Sequence, residues 1–125
     1  MAASEKFIIF LCSGAVEAGN KNLSFRIASH LETMGIAHIG NLQDLSEQHS
    51  ASEEDQKRMI FINDCPSGCV KVFMQGFQKE KYLYFDVSHF PASNEIDIPK
   101  YIHLKILPTL YDTWNYSLSS ENHSA

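Results

Sequence analysis

Two cysteines stand four residues apart in the segment Cys65-Pro66-Ser67-Gly68-Cys69, directly after a predicted strand. Proline and glycine between them are typical of a tight turn, which can bring both sulfurs to one point. If a helix begins at this turn, its unpaired amides and partial positive charge lower thiol pKa values. Thiolate is the form that binds Zn²⁺, so the segment predicts a pair of metal ligands. The alternative is that both cysteines are small apolar packing residues.

A second chemistry-bearing segment begins at Cys12 and contains small residues and glycines before a helical pattern. Backbone amides in such a loop, at the start of a helix, can bind an anion. We therefore predict an anion-binding role for Ser13, Gly14 and Gly19. A complete P-loop is excluded because Asn22 stands where the magnesium-binding serine or threonine would be.

The elements that must position these cysteines alternate between strand and helix patterns. Short apolar runs predict strands, and apolar residues at helical spacing predict helices. This alternation predicts an α/β protein with a mainly parallel sheet, and we expect a three-layer Rossmann-like fold. The predicted strands are 7–11, 36–39, 59–62 and 82–87. The predicted helices cover 23–34 and 67–78, with a short exposed helical turn within 40–57. A last helix begins near residue 97 and is interrupted at Pro108.

Cys12, Cys65 and His89 each follow the carboxyl end of a predicted strand. In a parallel sheet these ends share one edge, and ligands bind there at a topological switch point. We therefore expect the ligand edge of the protein at the carboxyl ends of the strands. A histidine with a purely structural role is the alternative for His89.

Length and charge narrow the class of protein. The 125 residues predict one domain, with a core of about 6–111 and a polar tail of 112–125. Three cysteines, an odd number, argue against a disulfide framework. A net charge of −5 argues against nucleic acid or an anionic membrane as partner. No signal peptide or spanning segment is recognisable, so we expect a cytoplasmic protein. Tyr111, Trp114 and Tyr116 predict a docked C-terminal segment or, alternatively, the contact surface of a homodimer.

The two cysteine segments together resemble those of the DGC-domain family, small proteins regarded as zinc-binding. In the family, a strand is followed by Cys-Xaa-Gly-Xaa-Ser-Xaa-Xaa-Gly, and the segment Cys12–Gly19 is similar to this pattern. The family also has an Asp-Gly-Cys motif with a second cysteine four residues later, and the segment Asn63–Cys69 is similar to that motif. The resemblance covers about residues 7–90. It implies that Cys12, Cys65 and Cys69 are zinc ligands, and it implies no reaction.

The chain departs from the family pattern at the position of a fourth cysteine. No cysteine stands near Asn41, where the family has one, so Asn41, Asp64, His89 or a water could complete the site. Two other functions stay open. One is a metal-free thiol enzyme with Cys12 as nucleophile and a small anionic substrate, with a Cys65–Cys69 redox couple as a variant. The other is a non-enzymatic regulatory or partner-binding domain.

Overall fold

The computed structural model describes residues 7–12, 22–52, 54–90 and 97–116, and these form a parallel sheet with helices. The strands are β1 (Phe7–Phe10), β2 (Ala37–Ile39), β3 (Arg58–Asn63) and β4 (Tyr82–Asp86). The α-helices are α1 (Leu23–Thr33), α2 (Leu42–Ser50), α3 (Ile98–Tyr101) and α4 (Leu107–Trp114). Two 3₁₀ segments cover Cys69–Met74 and Lys79–Lys81, and a π-helical segment, Ile102–Ile106, joins α3 to α4.

The four strands form one sheet in the order β2-β1-β3-β4, and every neighbouring pair is parallel. The predicted α/β class and parallel sheet are therefore confirmed. The chain passes from β1 to β2 on one side, then crosses to β3 on the other side of β1. This reversal places a topological switch point between the carboxyl ends of β1 and β3.

Both faces of the sheet are apolar, as is usual for parallel sheets. Phe7 and Ile9 of β1 belong to a buried cluster that includes residues of α1 and of the helical segments after residue 97. Ile8 and Phe10, which alternate with them, belong to a second cluster that includes Val70 and Leu45 of α2. The alternation along β1 therefore divides the core between the two faces of the sheet.

Local sequence signals account for the helices that precede and follow β2. Asn22 caps α1, because its side-chain oxygen accepts from the amides of Ser24 and Phe25. Asn41 caps α2 in a capping box with Asp44. At residues 42–50 the polar segment forms a nine-residue helix rather than the single exposed turn expected from its composition.

The expected helix over residues 67–78 is wrong in extent and type. A 3₁₀ segment covers only Cys69–Met74 and begins after Gly68, whose φ of 70° is left-handed. No side chain caps this segment, and Gly76, with a φ of 90°, follows it closely. Two left-handed glycines bound this segment on both sides and limit its extent, although Val70 is still buried as the apolar spacing predicts.

The C-terminal helix is interrupted just before Pro108, as expected, by the π-helical segment Ile102–Ile106. The π-helical turn places the amide of Leu107 on the carbonyl of Ile102, and α4 continues through Pro108 to Trp114. Proline has no amide hydrogen to donate within a helix, and a widened turn of this kind tolerates the missing hydrogen bond. Residues 112–114, which composition assigns to the polar tail, are therefore helical.

Docking of the C-terminal segment on the sheet is confirmed for two of its three aromatic residues. The Trp114 ring stacks on Phe7 with centroids 5.2 Å apart, and Tyr116 meets Phe7 edge-on at 5.2 Å. Tyr111 is 55% exposed. Among the described residues, no helix has the length and apolar character needed to cross a membrane.

Candidate thiol site at the sheet edge

Two of the three cysteines lie just beyond the strand ends at the switch point of the sheet. Cys12 lies two residues beyond the end of β1, and Cys65 lies two residues beyond the end of β3. The register pairs Phe10 with Phe61, so the two strands run side by side to this edge. Parallel pairing thus brings together residues that are 53 positions apart in the chain.

The Cys65–Cys69 segment folds into a turn that places its two sulfurs in contact. The amide of Gly68 donates to the carbonyl of Cys65 at 2.9 Å, which closes the turn. The Sγ atoms of Cys65 and Cys69 are then 3.0 Å apart, and both thiols are free. Cys69 is exposed and Cys65 is half-buried, so solvent molecules and ligands can reach the pair.

The contact between the sulfurs makes the two thiols unequal. A hydrogen bond from Cys69, together with the backbone amides of Ser67 and Cys69, lowers the pKa of Cys65 to about 7. The same bond to Cys65 raises the pKa of Cys69, and desolvation and the negative charges of Cys65 and Cys12 raise it further. Near neutral pH Cys65 is therefore partly ionised, and it carries more of the thiolate character of the pair than Cys69 does.

Asn63 holds the Cys65 turn from inside the protein. Its side chain is 2% exposed. The carboxamide nitrogen donates to the carbonyl of Cys65 at 2.8 Å and to Oδ1 of Asp86 at 3.2 Å, while its oxygen accepts from the Cys65 amide at 3.4 Å. Sequence reasoning missed this residue, and the signal available was an amide at the end of an otherwise apolar strand.

Asp86 extends this bracing to the end of the neighbouring strand β4. The amide and hydroxyl of Ser88 donate to Oδ1 of Asp86 at 3.0 and 2.7 Å. These two bonds from Ser88 are the main reason that the pKa of Asp86 lies below its usual value. Asn63 therefore links the ends of β3 and β4 directly beneath the thiol pair.

Asp64, one of the predicted fourth ligands, caps a helix. Its Oδ2 accepts from the amides of Leu23 and Ser24 at 3.0 and 3.3 Å. The residue before Cys65 is thereby attached to the start of α1, the first described helix after Cys12 in the chain. An anion at these two amides would have to displace a carboxylate that already stabilises the positive end of the helix.

The other two candidates for a fourth ligand differ in how their side chains are used. The side-chain oxygen of Asn41 accepts from the amide of Asp44 at 2.8 Å, so it serves as a helix cap. His89 is exposed, and its ring lies edge-on to Phe90 with centroids 4.6 Å apart. His89 is close enough to Asp86 for its charge to contribute to the lowered pKa of that carboxyl.

Cys12 is near the pair, although it does not complete a ligand cluster. It is half-buried and packs against the apolar cluster that contains Phe7 and Ile9. Across residues 7–12, 22–52, 54–90 and 97–116, no three histidine, cysteine or acidic side chains are gathered to hold a metal ion. The predicted anion-binding residues Ser13, Gly14 and Gly19 lie outside the described residues.

No protein-family model, no curated protein and no solved structure matches this chain. The similarity to the DGC-domain family therefore stays a prediction from the two cysteine segments.

Proposed function

We propose that this chain is a small zinc-binding protein whose metal site lies at the carboxyl edge of a Rossmann-like, three-layer fold. Cys65 and Cys69 supply the first two ligands, and Cys12 supplies a third. The observation that carries the proposal is the 3.0 Å separation of the Cys65 and Cys69 sulfurs. Sulfur ligands of this kind are favoured by Zn²⁺.

The geometry of the pair fits two positions of a tetrahedral zinc site. With Zn–S bonds near 2.3 Å, two sulfurs on one zinc ion stand roughly 3.8 Å apart. Cys65 and Cys69 would separate by less than 1 Å from their present 3.0 Å to reach that spacing. The lowered pKa of Cys65 favours the thiolate form, which is the form that binds the metal.

Cys12 is the third ligand of the proposal because of where its strand ends. Cys12 lies close enough to Cys69 that its ionised form contributes to the raised pKa of that thiol. Zinc binding would draw its sulfur toward the pair and out of partial burial. Three protein ligands leave one position for water or a small anion, which is the arrangement of catalytic rather than structural zinc sites.

A reducing compartment such as the cytoplasm would keep all three thiols available for the metal. The family resemblance supports the same three residues, whereas the family's fourth cysteine has no counterpart in this chain. Three side chains are candidates for that position, and His89 is the one that does not cap a helix.

Zinc binding can be tested on reduced protein by metal analysis and by competition with a chromophoric chelator. We expect one zinc ion per chain and a loss of affinity in Cys65→Ser and Cys69→Ser. Cys12→Ser should weaken binding by at least about tenfold, because loss of a residue that only orients a ligand already costs that much. Pro66→Ala is the matched control, since it alters the same exposed turn without removing a sulfur or the Ser67 side chain that hydrogen-bonds Cys65.

Absence of stoichiometric zinc in the reduced protein would contradict the proposal. Equal affinity of the wild type and Cys65→Ser would contradict it as well. If only Cys12→Ser matched the wild type, the site would consist of the Cys65–Cys69 pair without the third strand-end ligand.

A further inference from the structure

The Cys65–Cys69 pair has a second possible chemistry that does not involve a metal. Its two sulfurs are already closer than a shared zinc ion would hold them, at 3.0 Å. A disulfide bond is about 2.0 Å long, so closing one requires an approach of about 1 Å. Cys65 stands in a turn, and Cys69 is the first residue of a short 3₁₀ segment, so small backbone and side-chain rotations can supply this approach.

We propose that Cys65 and Cys69 undergo reversible thiol–disulfide exchange with low-molecular-weight disulfides. The proposal uses two of the thiols of the proposed zinc site and does not use Cys12. The exchange reaction and zinc binding have different reactants, because the exchange needs a small disulfide as its oxidant and needs no metal ion.

The reaction balances in two displacement steps. The thiolate of Cys65 attacks one sulfur of the small disulfide, which forms a mixed disulfide and releases one small thiolate. Cys69 then loses its proton to solvent and attacks the Sγ of Cys65, which forms the Cys65–Cys69 bond and releases the second small thiolate. The protein loses two electrons and two protons, and the small disulfide is reduced to two thiols.

The contacts of the turn assign the two roles. Backbone amides of Ser67 and Cys69 donate to the sulfur of Cys65, and such donors stabilise its anionic form during attack. Cys69 is at the exposed end of the turn and already contacts the sulfur that it must attack. The second step is therefore intramolecular and needs little reorganisation, which is the condition for a high effective concentration.

The surroundings of the turn allow a small disulfide to approach. Pro66, Ser67 and Cys69 are all exposed. Asn63 holds the Cys65 backbone from the buried side, so the sulfurs can move while the end of β3 stays in place. Cys12 lies on the neighbouring strand end and belongs to the apolar cluster instead.

The test uses metal-free, reduced full-length protein treated with glutathione disulfide and analysed by intact mass and peptide mapping. We expect the wild type to lose two hydrogens and to carry a Cys65–Cys69 disulfide. Cys69→Ser should instead accumulate a glutathione adduct on Cys65, about tenfold or more above the wild-type level, because the intramolecular step is missing. Excess reduced glutathione should reverse both products.

Cys12→Ser distinguishes this proposal from the proposed zinc site. It should leave the exchange unchanged while it weakens zinc binding. A stable glutathione adduct on the wild type, a disulfide that includes Cys12, or no reaction would each overturn the exchange proposal and leave the zinc measurement standing. Loss of zinc binding with intact exchange would overturn the zinc proposal alone. Thermal unfolding of each variant checks that the fold is retained.

Discussion

Replacing Asn63 by aspartate tests whether its carboxamide holds the thiol turn. The substitution keeps the shape of the side chain and removes the N–H donor that serves the Cys65 carbonyl at 2.8 Å and Asp86 at 3.2 Å. Each hydrogen bond is worth about 1 kcal/mol net. Repulsion between the new carboxylate and Asp86, which lies near the surface, adds about 1 kcal/mol.

We therefore expect Asn63→Asp to lower the free energy of unfolding by about 3 kcal/mol near neutral pH. For a domain of this size the melting temperature would fall by about 10 °C. Urea unfolding and calorimetry measure both quantities. The matched control is Asn41→Asp, because an aspartate caps α2 as well as asparagine does and should change stability by less than about 0.5 kcal/mol.

The pH dependence of Asn63→Asp has a defined sign. Burial and the charge of Asp86 penalise the ionised form of the new aspartate, so its pKa is higher in the folded than in the unfolded chain. The stability deficit should be largest above that folded pKa and should shrink as the pH falls through it, because the protonated carboxyl can donate again. A deficit below about 1 kcal/mol, or one independent of pH, would refute the bracing role of the carboxamide.

Three further outcomes are expected. The alkylation rate of each cysteine can be followed against pH by peptide mapping. The rate for Cys65 should inflect near pH 7 and the rate for Cys69 at higher pH, because Cys69 and the backbone amides stabilise the Cys65 thiolate. A common inflection would contradict this expectation. Gly40→Ala should cost about 1–3 kcal/mol in urea unfolding, because its Cβ would lie 2.7 Å from Cγ2 of Ile8, and an unchanged midpoint would contradict the close approach. Asp64→Ala should cost about 1 kcal/mol as a lost helix cap and Asp64→Asn much less, so equal effects of the two variants would argue against capping.

Strand ends were the most predictable part of the site. Dense apolar runs specify β1 and β3, and parallel pairing alone then places Cys12 and Cys65 at one edge. The sequence contains no comparable signal for Asp64, because the amides that it caps are 40 and 41 positions away. The bracing role of Asn63 likewise depends on which strand becomes the neighbour of β3.

Two local rules held only in part, for physical reasons. The apolar spacing of Val70 and Phe77 is consistent with a helical face, and both are buried, yet Gly68 and Gly76 have left-handed backbones that confine the segment to a 3₁₀ turn. Pro108 was expected to interrupt the helix, and a π-helical turn does so just before it, but the chain then continues as a helix to Trp114. In both cases the packing of apolar residues was predicted better than the hydrogen-bond pattern.

X-ray absorption at the zinc edge of the reduced, zinc-loaded protein tests the central claim most directly, because it counts the sulfur atoms bound to the metal. The proposed site predicts three sulfur neighbours near 2.3 Å and one lighter nitrogen or oxygen neighbour. Cys12→Ser should lower the sulfur count to two. A zinc ion with no sulfur neighbours, or a wild-type count that Cys12→Ser leaves unchanged, would contradict a site shared by Cys12, Cys65 and Cys69.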